Sequence, residues 1–259
     1  MDIFQVDAFT DHLFRGNPAA VIPLKEWLSD GKLQQIAAEN NLSETAFFVP
    51  MDDGGYHLRW FTPEREVDLC GHATLAAAHV LFHHLDHQGT AVTFHSKSGP
   101  LRVDFKNDLL WLDFPTRDPR VISCPEAIPE AIGAVPIQTA FHTDLLVLVD
   151  SEATLRSIQP NYQLLKGIDA RGVIVTAKGS DCDFVSRFFA PGVGVPEDPV
   201  TGSAHTVLIP FWGKKLKKKT MTARQLSARG GELFCGWHGD RVTIGGSAVT
   251  YLQGTIQIG

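Results

Sequence analysis

The sequence predicts an α+β protein of two duplicated halves, each a mixed, mostly antiparallel sheet curled around a central helix, with a cleft between the halves. Three observations support this class. Several segments recur in the same order in both halves, short alternating strands dominate each half, and each half contains one helix rich in small residues. Because the helix over 72–82 is apolar on nearly every side, it must be buried, and a curled sheet can surround it.

The repeat is clearest where RWFTPEREVDLCGHAT (59–74) parallels RFFAPGVGVPEDPVTGSAHT (187–206). Both segments read arginine, aromatic residue, phenylalanine, small residue and proline, then an acidic loop and a glycine before a small-residue helix. Further pairs in the same order are 5–14 with 138–147, 24–40 with 152–168, 43–50 with 171–178, and 101–105 with 240–244. This order favours a duplicated domain over chance similarity, and the offset is too long for a solenoid unit.

The segment DFPTRDPRVISCPEAIPE is rich in proline and has little periodicity, which is typical of a linker. We therefore expect a first half over residues 1–116 and a second over 117–259, with the last residues able to pack back on the first half. Each half should begin with a strand and then form an amphipathic helix, which we place over 24–40 and 152–168. Alternating strands (57–61 and 182–189), the small-residue helix and closing strands should follow.

Bulk composition excludes several partner classes. The 259-residue chain has a formal net charge of −6, so it offers no overall positive field to nucleic acid or to an anionic membrane. The basic run KKLKKK at 214–219 has no interleaved aromatic residues and is interpreted as a solvated loop or helix end. No apolar run approaches membrane-spanning length, and the N-terminus lacks the pattern of a signal peptide. Four widely spaced cysteines suit reduced thiols, so we expect a cytoplasmic protein.

Two helix starts are candidate binding elements. The segments Gly71-His72-Ala73 and Gly202-Ser203 each place glycine at the beginning of a small-residue helix. Unpaired N–H groups at such a start, together with the helix dipole, can bind an anion, and glycine allows a ligand to approach closely. We expect Gly71, Ala73, Gly202 and Ser203 to bind a small carboxylate. The alternative is that both are glycine-permitted turns with an ordinary side-chain cap.

Glu44, His72 and Asp198 lie near these helix starts in the sequence or its motifs and are the candidate catalytic residues. A carboxylate and an imidazole beside a desolvated anion site are the components of general acid–base catalysis. Each residue alone has a simpler explanation: Asp198 can stabilise a turn, Glu44 can lie at a strand edge, and His72 can be an ordinary first-turn histidine.

Motifs for other chemistries are absent from the sequence, including a phosphate-binding GxxxxGK loop, a dinucleotide-binding GxGxxG and a GxSxG nucleophile turn. His79, His83 and His87 stand four residues apart on one predicted helix face, with His84 beside them. Three such histidines could bind a divalent ion. Because they lie at the far end of the helix from His72, we favour a solvated helix end and no metal site.

The motifs VDAFT, FRGNPAAV, LSETAFF, RWFTPEREVDLCGHAT, EDPVTGSA and ARQLSARGGEL resemble those of the phenazine-biosynthesis isomerase family, the PhzF-like proteins. The resemblance covers essentially the whole chain and implies the fold of diaminopimelate epimerase and proline racemase, with the active site between the halves. It implies a small-molecule substrate, no cofactor, no metal and a possible homodimer. It also implies that Glu44 is the acid–base residue, that His72, Asp198 and Ser203 support it, and that Gly71 and Gly202 line the carboxylate site.

The related epimerases use a thiol at each of two helix starts, whereas this chain has glycine at both positions, with Cys70 one residue away from Gly71. We therefore expect a single carboxylate, rather than two thiols, to move the proton. A non-catalytic binding or interaction protein that retained the cleft is the other alternative. Both the substrate and the pathway remain open at this stage.

Overall fold

A computed structural model describes residues 1–52 and 54–258 and divides the chain into two compact units. The first unit comprises Met1–Asp113 with Gly245–Gly259, and the second comprises Phe114–Ile244. The expected division between residues 116 and 117 stays a prediction. Gly259, the last residue of the expected second half, lies outside the described residues.

The chain consists of seventeen strands and six α-helices within the described residues, of which α2 and α6 are the longest helices. Up to residue 115 they are β1 (Asp2–Ala8), β2 (Asn17–Pro23), α1 (Asp30–Asn40), β3 (Glu44–Pro50), β4 (Tyr56–Phe61), β5 (Glu66–Val67), α2 (Gly71–His84), β6 (Ala91–Ser96), β7 (Gly99–Lys106) and β8 (Leu109–Pro115). Then follow β9 (Arg120–Ile122), α3 (Ile128–Ile132), β10 (Gln138–Phe141), β11 (Leu145–Leu148), α4 (Glu152–Ser157), α5 (Tyr162–Lys166), β12 (Val173–Lys178), β13 (Phe184–Phe189), a 3₁₀ helix (Pro191–Val193), α6 (Gly202–Leu216), β14 (Thr220–Gln225), β15 (Gly231–Trp237), β16 (Arg241–Gly246) and β17 (Ala248–Thr255).

In the first unit, a mixed sheet packs on the buried helix α2. Strand β1 pairs antiparallel with β2 and β17, and β2 pairs parallel with β3. Antiparallel pairing continues from β3 to β4 and through β6, β7 and β8, while β4 and β6 are parallel. Helix α2 packs against β1, β2, β3 and β17, and its residues 72–81 are all buried. The predicted central helix is confirmed for this unit.

The second unit repeats this plan around α6. Strands β9, β10 and β11 are antiparallel neighbours, β11 pairs parallel with β12, β12 pairs antiparallel with β13, and β13 is parallel to β14. Helix α6 packs against β14 and β15 and is buried over most of its length. The α+β class, with a mixed sheet and a central helix in each unit, is therefore confirmed. No helix in the described part of the chain has the length and apolar character needed to cross a membrane.

A proline inside α6 fixes the segment that enters the second unit. Pro210 has no backbone N–H, so it cannot donate to the carbonyl of Thr206 four residues earlier. That carbonyl instead accepts the backbone N–H of Arg117 at 3.0 Å. The Thr206 carbonyl, which Pro210 leaves without its helical donor, thus holds residue 117 against the side of α6.

Two predicted helices differ from the structure. Helix α1 begins only at Asp30, because the Ser29 side chain caps it by accepting the N–H of Lys32. The segment 152–168 forms two short helices rather than one. Pro160 lies between them, and Asn161 caps the second by accepting N–H groups of its first turn.

The expected row of histidines on one helix face is wrong for His87, because α2 ends at His84. His83 Nδ1–H donates to the His79 carbonyl at 3.1 Å, and His87 Nε2–H donates to the Ala91 carbonyl at 3.0 Å. Burial lowers the pKa of His79 to about 3, and the nearby His83 and His84 add to this shift. The expected solvated helix end is correct for the exposed His83 but wrong for His79, which is buried between α2 and β17 with its Nε2 2.9 Å from Thr250 Oγ1.

Truncation of the two central helices should be costly. Leu75 in α2 and Leu208 in α6 are fully buried, so Leu75→Ala and Leu208→Ala should each lower the free energy of unfolding by about 2–5 kcal/mol. Urea unfolding followed by circular dichroism measures this loss. Leu252→Ala, in the exposed part of β17, is the control and should cost about 0.5 kcal/mol or less. Equal costs at all three positions would contradict a core built around the two helices.

Candidate active site

A carboxylate and an imidazole meet where β3 and α2 begin. Glu44 is the first residue of β3, where it lies opposite Ala19 of the parallel strand β2, and His72 is the second residue of α2. Glu44 Oε2 lies 3.1 Å from His72 Nε2, and the two side chains are only 18% and 6% exposed. The structure therefore places two of the predicted catalytic residues, 28 positions apart, in an ion pair that is largely shielded from water.

The other ring nitrogen of His72 is held by Asn17. The buried side-chain amide of Asn17, at the start of β2, lies 3.2 Å from His72 Nδ1. An amide can donate its NH₂ to a neutral imidazole or, rotated by 180°, accept from an imidazolium. Asn17 can therefore orient the ring in both protonation states. Asn17 was not among the site residues predicted from the sequence, although it lies in the motif FRGNPAAV.

Cys70 completes the group but is not activated. It occupies the N-cap position of α2, and its Sγ lies 3.5 Å from His72 Nδ1. Burial, reinforced by the charge of Glu44, raises the pKa of the Cys70 thiol to about 11. Since the thiolate is the nucleophilic form of cysteine, Cys70 is unreactive at neutral pH.

The charge state of His72 depends on its neighbours. Burial opposes the imidazolium, but Cys70 and Glu44 outweigh burial and raise the pKa of His72 well above its ordinary value of 6.5. At neutral pH the Cys70 thiol is protonated and uncharged, so Glu44 is the neighbour that raises the pKa of His72 under these conditions. The Glu44 carboxylate beside Nε2 thus favours the imidazolium form of His72.

Glu44, Cys70 and His72 also offer carboxylate, sulfur and imidazole ligand atoms within 4.8 Å of one another. This is a donor set that zinc accepts. A metal ion would have to displace the protons of Cys70 and His72, however, and the raised pKa of each group opposes that loss. The group is better suited to holding and moving protons.

Both predicted anion-binding turns are helix starts without a capping side chain. Within the described residues, neither Cys70 before α2 nor Thr201 before α6 makes a side-chain cap hydrogen bond. The positive end of each helix dipole is therefore not capped by the side chain of the residue before the helix.

In the second unit, the loop before α6 is fixed by a polar network. The Thr201 hydroxyl donates to Asp198 Oδ2 at 2.5 Å. The fully buried side chain of Gln225 accepts the Thr201 N–H at 2.9 Å and donates to the Asp198 carbonyl at 2.7 Å. Asp198 thus stabilises the turn, as its simpler explanation required, and the same bonds hold its carboxylate beside the helix start.

Ser203 is engaged by a residue that the sequence analysis did not select. Its Oγ accepts a hydrogen bond from Arg171 Nη2 at 3.0 Å, and Arg171 is paired with buried Asp144. The repeated segment RGVIVTAK contains Arg171, but the resemblance carried no signal for it. The structure thus groups Glu44, His72, Gly71 and Ala73 in the first unit and Asp198, Gly202 and Ser203 in the second, while their roles stay predictions.

Comparison with known proteins gives a consistent relationship along the chain. Residues 6–254 match the family described as phenazine biosynthesis-like protein. A Pseudomonas aeruginosa protein named an uncharacterized isomerase is 52% identical over 258 residues, covering 100% of this chain and 99% of that protein. The crystal structure of a PhzF-family protein from Enterococcus faecalis superposes with a TM-score of 0.97 at 46% identity and 99% coverage of both chains.

A more distant structure supports the fold alone. A probable proline racemase from Agrobacterium radiobacter is 11% identical, with a TM-score of 0.64 over 100% of this chain and 93% of that one. This similarity confirms the expected relationship to the racemase and epimerase fold.

Replacing Glu44 by glutamine should lower the pKa of His72, because the variant removes the carboxylate that raises it. NMR titration of the imidazole signals measures this change. His205 is the internal control, since burial lowers its pKa to about 4 independently of Glu44. An unchanged His72 titration in Glu44→Gln would contradict the coupling.

The same pKa shift predicts how stability depends on pH. A raised folded-state pKa means that the stabilising contribution of His72 is fully present below about pH 6.5 and is lost as the pH rises through the folded-state pKa. The difference in unfolding free energy between the wild type and Glu44→Gln should therefore shrink at high pH. Urea unfolding across a pH series measures it, and a difference that grows with pH would refute the sign.

Proposed function

The chain belongs to the phenazine biosynthesis-like protein family, and we propose that it catalyses a cofactor-independent proton shift on a small carboxylate-bearing metabolite, with Glu44 as the general acid–base. Its class is isomerase, as for its relatives. The observation that supports Glu44 most strongly is its shielded contact with His72 at 3.1 Å. General acid–base catalysis needs a proton carrier within hydrogen-bond reach and a neighbour that controls its protonation.

The proposed reaction has two balanced steps. Glu44 removes a proton from a substrate C–H bond, and the electron pair of that bond delocalises into the adjacent unsaturated or carbonyl system. The protonated Glu44 exchanges its proton with solvent water and then protonates a different carbon, so that the substrate is isomerised, the enzyme is restored and deuterium can enter from D₂O. His72 remains protonated throughout and donates to Glu44 or to the developing anion, which stabilises negative charge where water is scarce.

We assign supporting roles to the other candidates. Asp198 is held by Thr201 and Gln225 in one position and is proposed to orient the substrate and to influence its protonation. The uncapped starts of α2 and α6 are proposed to bind anionic oxygens through backbone N–H groups. Gly71 and Gly202 would permit close approach, and Ala73 and Ser203 would line the same turns.

A two-thiol racemase is less well supported. The pKa of about 11 for Cys70 leaves it protonated, and the start of α6 has Thr201 and Gly202 where a second thiol would be needed. A single carboxylate is therefore the better proton carrier.

Glu44→Gln should lose proton exchange while keeping ligand binding. We expect wild-type protein in D₂O to incorporate deuterium into at least one of a panel of small unsaturated and amino carboxylates, a dihydro-hydroxyanthranilate included. The Gln variant should be slower by about 10²–10⁴-fold, because it cannot accept a proton. NMR follows the uptake.

The control for this experiment is Glu64→Gln, an exposed glutamate that should exchange at the wild-type rate. Wild-type exchange in Glu44→Gln would refute the assignment of Glu44. Ligand binding without exchange in any protein would favour the non-catalytic alternative.

Cys70→Ala should retain most of the exchange activity, since the thiol is proposed only to pack at the helix start. A fall of less than about tenfold is expected, which is below the loss for removing a general base. The rate should also resist iodoacetamide in the wild type. Loss of activity comparable to that of Glu44→Gln would restore the thiol mechanism.

A further inference from the structure

The guanidinium of Arg171 is held in one orientation at the start of α6. Its Nε donates to Asp144 Oδ1 at 2.8 Å and its Nη2 to Oδ2 at 2.5 Å, while Nη2 also donates to Ser203 Oγ at 3.0 Å. Asp144 is fully buried, whereas 39% of the Arg171 side chain is exposed. A two-bond contact of this kind fixes the plane of the guanidinium. Arg171 is thus anchored on its inner edge and accessible on its outer edge.

The ring of Phe188 packs against the guanidinium of Arg171. The guanidinium carbon lies 5.6 Å from the ring centroid. This packing depends on Gly172, because a Cβ atom there would lie 2.4 Å from Phe188 Cζ. The residue after Arg171 therefore has to be glycine for the ring to occupy this position.

A second guanidinium lies near Arg171. Burial lowers the pKa of Arg117, and the charge of Arg171 lowers it further, so the two guanidinium groups are close enough to repel each other. Asp144 is the carboxylate that interacts with both. Within the described residues, neither the Arg117 guanidinium nor Arg171 Nη1 has a hydrogen-bond partner. Arg117 and Arg171 are thus two cations near the buried Asp144 carboxylate, and the Asp198 carboxylate lies at the same helix start.

Arg171 and Glu44 approach the two helix starts from neighbouring but not equivalent positions, because the repeat aligns Glu44 with Gly172 and Ser43 with Arg171. Glu44 opens the strand that pairs parallel with β2 and contacts the second residue of α2, His72. Arg171 precedes the strand that pairs parallel with β11 and contacts the second residue of α6, Ser203. In each unit a charged side chain near the start of a parallel-paired strand thus contacts the second residue of the central helix, with a negative charge in the first unit and a positive charge in the second.

We propose that Arg171 is a substrate-binding residue that holds the carboxylate group of the substrate, together with Ser203 and the first N–H groups of α6. This rests on the proposed function, in which the substrate bears a carboxylate. Ser203 accepts from Arg171, so its own hydroxyl hydrogen remains available to donate to the ligand. The outer nitrogen of Arg171 supplies a second, charged donor. The site should therefore bind an anionic group more tightly than a neutral group of the same shape.

The test is binding of anthranilate and of its neutral analogue 2-aminobenzamide, measured by calorimetry on the full chain. The wild type should bind anthranilate at least about tenfold more tightly than the amide, as expected for one hydrogen bond to a charged group. Arg171→Gln should lose most of that preference, and amide binding should change by less than about twofold. Arg156→Gln, which removes an exposed arginine paired with Glu152, is the matched control and should behave as the wild type.

A second variant guards against misfolding. Removing Arg171 alone deprives the buried Asp144 of its hydrogen-bonded ion-pair partner, which is destabilising. The double variant Asp144→Asn with Arg171→Gln removes both charges and should fold, while still losing the preference for anthranilate. In turnover assays, the same variants should raise KM far more than they lower kcat.

The inference fails if the wild type does not prefer anthranilate, if it binds neither compound, or if the double variant keeps the wild-type preference. Failure of the proposed function gives a different result, because it appears as absence of Glu44-dependent deuterium uptake. The binding experiment requires no turnover and is interpretable in either case.

Discussion

The first turn of α2 places ionisable side chains where there is little water to solvate them. A buried carboxylate or imidazolium is costly unless an opposite charge and hydrogen bonds compensate it, so Glu44 and His72 stabilise each other in charged form. Their contact links the starts of β3 and α2, and Asn17 adds the start of β2 through the second ring nitrogen. The same burial that raises the pKa of Cys70 removes the thiol from the chemistry. The packing of one helix start against the sheet thus determines which group can carry a proton.

Duplication explains how one scaffold supports two kinds of chemistry. Each unit surrounds a buried helix with a mixed sheet and leaves the helix start without a side-chain cap. In the first unit, the neighbouring parallel strands bring Glu44 and Asn17 to that start, and in the second they bring Arg171 and Asp144. Similar backbone arrangements thus present a carboxylate at one helix start and a guanidinium at the other. This is the expected outcome when a rigid scaffold is kept and its loop and strand ends diverge.

The sequence could predict both central helices, because glycine starts and long apolar runs are local signals. It could not predict that Glu44 and His72 are in contact, since this depends on the parallel register of β2 and β3. Local capping shortened α1 through Ser29, and Pro160 divided the helix expected over 152–168, at positions where periodicity alone indicates a continuous helix. Arg171 was within a repeat that had been recognised, but its role became visible only with its contacts to Asp144 and Ser203.

The central claim is that a carboxylate at position 44 moves the proton, and chemical rescue tests it most directly. Glu44→Ala should remove the carboxylate and leave space beside His72, and added formate can then act as a diffusible carboxylate. Deuterium uptake by the substrate, followed by NMR, should be lost in this variant and should return with increasing formate concentration, whereas acetamide, which is neutral, should have no effect. Uptake at the wild-type rate in Glu44→Ala without formate would contradict the account.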